Sequence, residues 1–335
     1  MAAPRHSGAT PCSKARALDA TYRASGASAI VAAMSILVGT ASWTDRTLLA
    51  CGRFYPADAV TPEARLRHYA SRFPIAEVDS SFYALPSAFN AQAWATRTPP
   101  GFVFNIKAFR LFTGHQTPLS ALDADLRREL PDSAGDAVFI DQVPRDIRQE
   151  AWRRFIFAME PLRMAGKLGA VHFQFPPWIR ADPRGQARVA DCVAQLEDHV
   201  ASVELRHRSW FEPARAAGTL EFLRELRAIH TVVDAPQGFE NTVPAVWETT
   251  RPDLAIVRLH GRNARTWGGG GDASSSRFTY EYTTAELEAL ARQVRTLAQR
   301  AGRTHVILNT NFEDQGMRNA QGLAQALRDL DAPVA

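Results

Sequence analysis

Ile36-Leu37-Val38-Gly39-Thr40-Ala41-Ser42-Trp43-Thr44 decides between two ways of building an α/β protein. Its β-branched and apolar residues make it a core strand. In a doubly wound open sheet the first strand enters its helix through a glycine-rich turn, G-x-G-x-x-G. Here the strand leaves as Ala41-Ser42-Trp43-Thr44, without that turn. Seven further β-rich runs follow: Ile75–Ser80, Phe102–Lys107, Ala170–Phe175, Ala201–Arg206, His230–Asp234, Leu254–His260 and Thr304–Asn309. Amphipathic segments separate them. From Pro144 to Met164, the residues Trp152, Phe155, Ile156 and Met159 recur at helical spacing, with Arg153, Arg154 and Glu160 elsewhere; Glu286 to Arg300 is another such segment. Eight strands alternating with helices predict a single-domain (β/α)8 TIM barrel, and 335 residues exceed the roughly 250 such a barrel needs.

Composition narrows the class. Hydrophobic residues make up 46% and charged residues 22%, as in a folded globular chain. The net charge is only +4 and no dense basic run occurs, so nucleic acid is not an expected partner. Cys12, Cys51 and Cys192 are few, odd in number and far apart, which argues against a disulfide framework and suits a reducing, cytoplasmic setting. Without an apolar run of about 20 residues, no transmembrane helix is expected.

The expected domain spans 35–330. Residues 1–34 are rich in Ala, Ser and Arg, lack apolar periodicity and read as a disordered N-terminal extension. A signal peptide is the competing reading, with Arg16 and Arg23 ahead of the apolar stretch Ala29–Val38, but cleavage there would remove the first strand. A start at Met34 instead of Met1 fits the same boundary. Two stretches look inserted: 114–143, a long loop or lid, and Gly268–Arg277, both expected over the C-terminal mouth of the barrel.

Strand parity locates the chemistry. Alternate strand residues point into a barrel. In Val203-Glu204-Leu205-Arg206 and Val257-Arg258-Leu259-His260 the apolar members suit the helix layer, which turns Glu204, Arg206, Arg258 and His260 inward. The same split places Glu77 and Asp79, Asn105 and Lys107, His172 and Gln174, then Asp234 and Asn309, inside. An inert barrel fills these layers with Val, Ile and Leu. Asp234, on strand six, is expected between strands five and seven, sharing one cavity with Arg206 and His260 and with Lys107 across from them.

These residues also carry a resemblance. Gly39-Thr40-Ala41-Ser42-Trp43, Phe54-Tyr55-Pro56, Glu77-Val78-Asp79-Ser80-Ser81-Phe82-Tyr83 and Leu85-Pro86 look like the opening motifs of the YecE-like family, domain of unknown function 72. Gly101-Phe102-Val103-Phe104 with Lys107, then Gln174-Phe175-Pro176-Pro177, fit the same pattern. So do Val203-Glu204-Leu205-Arg206 with Ser209-Trp210, Arg258-Leu259-His260-Gly261-Arg262-Asn263, and Asn309, Asn311 and Asn319. The resemblance runs in order from about 36 to 325 and implies a TIM barrel; the family brings no settled activity. The chain departs from the pattern at Asp79, where the family often has Asn, and at Thr310, which splits the paired asparagines. The loop 114–143 also looks long for the family.

Four mechanisms compete. A divalent metal would use His172, Glu204, Asp234 and His260, yet Lys107, Arg206 and Arg258 nearly neutralise Glu77, Asp79, Glu204 and Asp234 without one, so neither metal nor cofactor is expected. A Schiff-base Lys107 competes with its pairing to Asp79. Arg206, Arg258 and Arg262 can fork onto phosphate or carboxylate. Acid/base chemistry on a small polar or anionic, sugar- or phosphate-like substrate is the favoured reading. His260, Glu204, Asp234 and Lys107 are then the catalytic candidates, and Arg206, Arg258, Asp79, Tyr83, Trp43, Gln174, Asn309 and Asn311 the substrate-binding ones. Trp43, Tyr83, Trp210 and Trp267 are candidates for a ring-stacking wall. A non-catalytic binding or regulatory module and a metal-dependent barrel acting on nucleic acid are the alternatives.

Overall fold

The structure, a computed structural model, describes residues 34–131, 135–267 and 278–335. The expected N-terminal extension, Met34 apart, and the Gly268–Arg277 insertion therefore lie outside the described residues. Eight parallel strands close into a barrel: β1 (Ser35–Ala41), β2 (Ile75–Val78), β3 (Val103–Lys107), β4 (Leu168–Gln174), β5 (Ala201–Glu204), β6 (Ile229–Asp234), β7 (Leu254–Leu259) and β8 (Arg303–Leu308). Each pairs with its sequence neighbours, and β1 meets β8 from Ser35↔Arg303 to Thr40↔Leu308, which closes the ring.

The sequence builds the two layers by alternation. Val38, Val78, Phe104, Phe173, Val203, Val257 and Val306 belong to the large buried cluster that also holds Leu162, Leu223, Leu290 and Leu323 of the surrounding helices. Leu37, Ile75, Val103 and Ile307 form one small separate cluster, and Ala170, Ile229, Leu254 and Ile256 another. These are inward positions near the N-terminal ends of the strands, so the barrel floor is apolar. The polar residues follow two to four positions later, toward the mouth.

β1 can approach β2 because residue 39 is glycine: a Cβ there would lie 2.0 Å from the Ile75 carbonyl oxygen. Helix Arg145–Met164 buries Trp152, Phe155 and Met159 as its period predicts. Helix Thr284–Ala298 starts on a capping box between Thr283 and Glu286. The 114–143 insertion has structure of its own. Thr117–Pro118 pairs antiparallel with Ala137–Val138, and a short helix, Ala124–Arg128, lies between them. Arg154 on the long helix bonds Asp123 and Asp125, which ties the insertion to the barrel's flank. Among the described residues of the insertion, His115 alone lines the main cleft of the mouth. No described helix is long and apolar enough to cross a membrane.

Candidate functional site

Arg258 forms the centre of the site. It has no solvent exposure, and its guanidinium joins Glu77 of β2 at 2.6 Å and Glu204 of β5 at 2.6 Å. Burial alone would lower the Arg258 pKa, but Glu204 and Glu77 outweigh it and raise it. Burial likewise works to raise the Glu204 carboxyl, yet Arg206 and Arg258 hold it well below the usual carboxylate range. Glu204 stays ionised with both oxygens engaged, Oε1 by Arg206 and Oε2 by Arg258, so it is a positioning group rather than a free acid.

Arg206 is the next layer up. Its Nε bonds Glu204, and its Nη2 lies 3.3 Å from the Gln174 side-chain oxygen and 3.1 Å from His260 Nε2. Nη1 has no partner among the described residues, and the side chain lines the cleft. His260 is buried; its Nδ1 is 2.8 Å from the Asn309 amide nitrogen and its Nε2 is 3.3 Å from Glu204. Burial, then Arg206, pushes the His260 pKa down to about 3, so the ring is neutral. His172 pairs with Ser202 below it and is also lowered, by burial and Arg258.

Across the mouth, Lys107 sits 3.2 Å from Asp79 and 4.7 Å from the centre of the Phe82 ring. Burial opposes ionisation of Asp79, but Lys107 and Arg258 bring its pKa below the ordinary value. Arg110, three residues past β3, lies over the same ring at 5.4 Å, and its guanidinium has no hydrogen-bond partner among the described residues.

The cleft above these groups has a volume of about 300 Å³, at the small end for ligand pockets. Gln174, Arg206, His115 and Asn241 supply its polar lining, and Trp178, Trp267 and Phe278 supply aromatic walls. The Trp267 ring lies 5.4 Å from the Arg206 guanidinium, and its Nε1 donates to Asn241 at 3.1 Å. We assign the His115 tautomer from Thr113: with that hydroxyl donating to the Arg110 carbonyl at 3.2 Å, its oxygen accepts from His115 Nδ1–H at 2.8 Å. The Nε2 lone pair is left for the cleft. Burial, with Lys107, Arg110 and Arg206, pushes the His115 pKa down to about 3.

Strand parity thus gathers Gln174, Glu204, Arg206, Arg258, His260 and Asn309, with Lys107 and Asp79 opposite. It misplaces Asp234. Register pairs Val233 with Arg258 and Asp234 with Leu259, so Asp234 turns outward into the helix layer. There it holds Arg262 at 2.8 Å and accepts from the Tyr282 hydroxyl at 2.7 Å, beside a separate recess with Gln237 and Pro244. The expected shared cavity is not formed: Arg206 lines the cleft, whereas Asp234, His260 and Lys107 are not among its lining residues. Trp43 packs in the helix layer against Tyr69, Trp94 and Phe104, and Trp210 is core, with its Nε1 on the Ile179 carbonyl. Tyr83 is exposed against Phe82, and Asn311 contacts Thr47 through its carbonyl; neither lines the cleft. Arg110, His115, Trp178, Asn241 and Phe278 were not singled out by sequence. All lie in βα loops, and the signal available was position just past a strand end, as for Arg110, or beside Pro176-Pro177, as for Trp178. Among the described residues, no three His, Cys, Asp or Glu side chains are placed to hold a metal ion.

A sequence model described as "Protein of unknown function DUF72" matches residues 37–334. The chain belongs to the DUF72 family. This DUF72 protein is 31% identical over 295 residues to UPF0759 protein YunF of Bacillus subtilis (strain 168), covering 87% of this chain and 94% of that one. It is also similar to a DUF72 family protein of Enterococcus faecalis V583, with TM-score 0.70, 25% identity and coverage of 88% and 95%. A third relative, the DUF72 family protein of Thermotoga maritima MSB8, has TM-score 0.67 and 26% identity, with coverage of 88% and 99%. The match over nearly the full barrel agrees with the ordered motifs.

Proposed function

We propose that this DUF72 protein binds a small anionic, ring-bearing substrate in the cleft and performs acid/base chemistry on it. One observation carries this reading: the charge balance at the mouth. With Asp234 turned outward and Arg110 added, four cations (Lys107, Arg110, Arg206, Arg258) meet three carboxylates (Glu77, Asp79, Glu204) among the described residues. The surplus charge favours an anion over a cation. Arg206 Nη1 is the donor aimed at it, and a guanidinium suits phosphate or carboxylate. Trp178, Trp267 and Phe278 offer faces to a sugar or aromatic ring.

The test is binding of inorganic phosphate and of a panel of sugar phosphates by calorimetry. We expect saturable binding that Arg206→Gln weakens at least tenfold, about 1.4 kcal/mol. Arg206→Lys, which keeps the charge but loses Nη1, is expected to fall between. Equal affinity in all three proteins overturns the reading. Deuterium incorporation from D2O into a bound compound, read by mass spectrometry, tests the acid/base step. Binding without exchange or turnover would make the barrel a binding module instead.

A further inference from the structure

His115 stands out among the groups of the mouth because it alone combines a free ring nitrogen with a place on the cleft wall. The other buried histidines of the mouth have their nitrogens turned inward: His260 lies on Arg206, Glu204 and Asn309, and His172 on Ser202 and Glu204. His115 Nδ1 is committed to Thr113, and its ring is fixed edge-on to Phe82 at 5.0 Å and to Trp178 at 5.8 Å. Its position therefore does not depend on a ligand.

The charged groups that act most strongly on it among the described residues are cations. Lys107 reaches it from the end of β3, Arg110 from the segment after β3, and Arg206 from beyond β5. Asp79, the carboxylate 3.2 Å from Lys107, is taken by it. Gln174, Trp178 and Phe278 complete its surroundings without charge. Without an anion, a proton on Nε2 would be a further positive charge beside these cations, and Nε2 has no hydrogen-bond partner among the described residues.

An anion reverses both conditions. It offsets the three cations, and it offers an acceptor to Nε2–H. We infer that an anion in this cleft is held between Arg206 and the protonated form of His115, so that binding draws one proton from solution onto His115 Nε2. The inference rests on the anion reading of the cleft given above and adds the residue and the stoichiometry. Nothing is oxidised or transferred covalently; solvent supplies the proton, and the Nε2 lone pair accepts it. The imidazolium so formed is a proton donor placed against the bound ligand. An acid appears in the site only when substrate is present.

Sulfate is the suitable probe, because it does not titrate between pH 5 and 8 and any proton taken up belongs to the protein. The experiment is calorimetry of the full chain with sodium sulfate at pH 5 to 8, in pairs of buffers with different ionisation enthalpies. We expect uptake of close to one proton per sulfate at the lower end of that range. Between the His115 pKa of the free protein and that of the complex, affinity should fall about tenfold for each added pH unit, levelling off above the latter. His115→Asn keeps a donor for Thr113 but has no group that titrates. It should still bind sulfate through Arg206, with the proton uptake gone and the pH dependence flat. Uptake that persists in His115→Asn overturns the inference. So does sulfate affinity that is flat with pH in the native protein but lost in Arg206→Gln, a result that leaves the cleft reading standing. No saturable sulfate binding at all overturns both.

Discussion

Asp234 shows how much one residue's orientation governs a site. Were it inward, four carboxylates would balance the four cations of the mouth, and the surplus charge that favours an anion would be gone. Outward, it serves as the anchor of the loop that follows β7. It holds Arg262 at 2.8 Å and takes the Tyr282 hydroxyl at 2.7 Å, while that same hydroxyl accepts from Gly261 N at 2.9 Å. Gly261 has φ +80 and would place a Cβ 2.4 Å from Tyr280, so the turn that sends Arg262 back to Asp234 needs glycine. Asp234→Asn should therefore leave sulfate affinity within about twofold, which the same calorimetry reads. Its stability cost should be about 1 kcal/mol or less, since Arg262 is 37% exposed and its pairing is screened by solvent. A tenfold loss of affinity with unchanged stability would return Asp234 to the site. The misreading has a physical source. In His230-Thr231-Val232-Val233-Asp234 both faces mix polar and apolar residues, so parity is not legible there. Val203-Glu204-Leu205-Arg206 and Val257-Arg258-Leu259-His260 alternate cleanly, and their assignments hold in the register. Arg110 and His115 escaped because loop residues have no periodicity from which to argue.

At the scale of elements, the strands were legible almost to the residue. All eight runs fall within two positions of the observed limits, because each is β-rich and bounded by helical or turn sequence. Gly39 carries a constraint that periodicity does not show. Gly39→Ala places a methyl 2.0 Å from the Ile75 carbonyl oxygen, and backbone on both sides must move. We expect a loss of about 2 kcal/mol or more by urea unfolding, typical of overpacking. Gly218→Ala is the control. Gly218 lies in helix Ala216–Glu225 with nothing within 4 Å of a Cβ, so alanine should add about 0.5–1 kcal/mol. Equal effects at the two positions would remove the close approach as the explanation. The insertion 114–143 was legible as an insertion only. Its attachment to the long helix depends on Arg154, Asp123 and Asp125 meeting in space, which spacing along the chain does not reveal.

For the whole molecule, the buried histidines set a pH dependence. His230 is pushed down to about 4, and His115, His260 and His305 to about 3, from an ordinary value of 6.5, with burial the first cause in each. The unfolded chain takes up these protons below about pH 6.5 and the native barrel does not, so stability falls as pH falls. Each such group contributes roughly 1.4 kcal/mol per pH unit while the native ring stays neutral. Glu204 and Asp79, with native pKa values below the ordinary ones, add to the loss at lower pH. Urea unfolding should show more than about 2 kcal/mol lost between pH 7 and pH 5; equal stability at the two would contradict the neutral, buried rings.

The Arg258 pairings also bear on the order in which the barrel assembles. Glu77 and Arg258 are 181 residues apart in the chain and sit on β2 and β7, which do not adjoin. Their 2.6 Å contact runs across the interior, so it exists only once the ring of strands has closed. Until then each charge is hydrated, and the pair offers nothing to a half-built sheet. A contact that forms only on closure is expected to slow unfolding more than it speeds folding, which Glu77→Gln unfolding and refolding rates in urea would read. The clasp beneath the cleft would then act also as a kinetic lock, tying the lifetime of the folded barrel to the same guanidinium that organises its mouth.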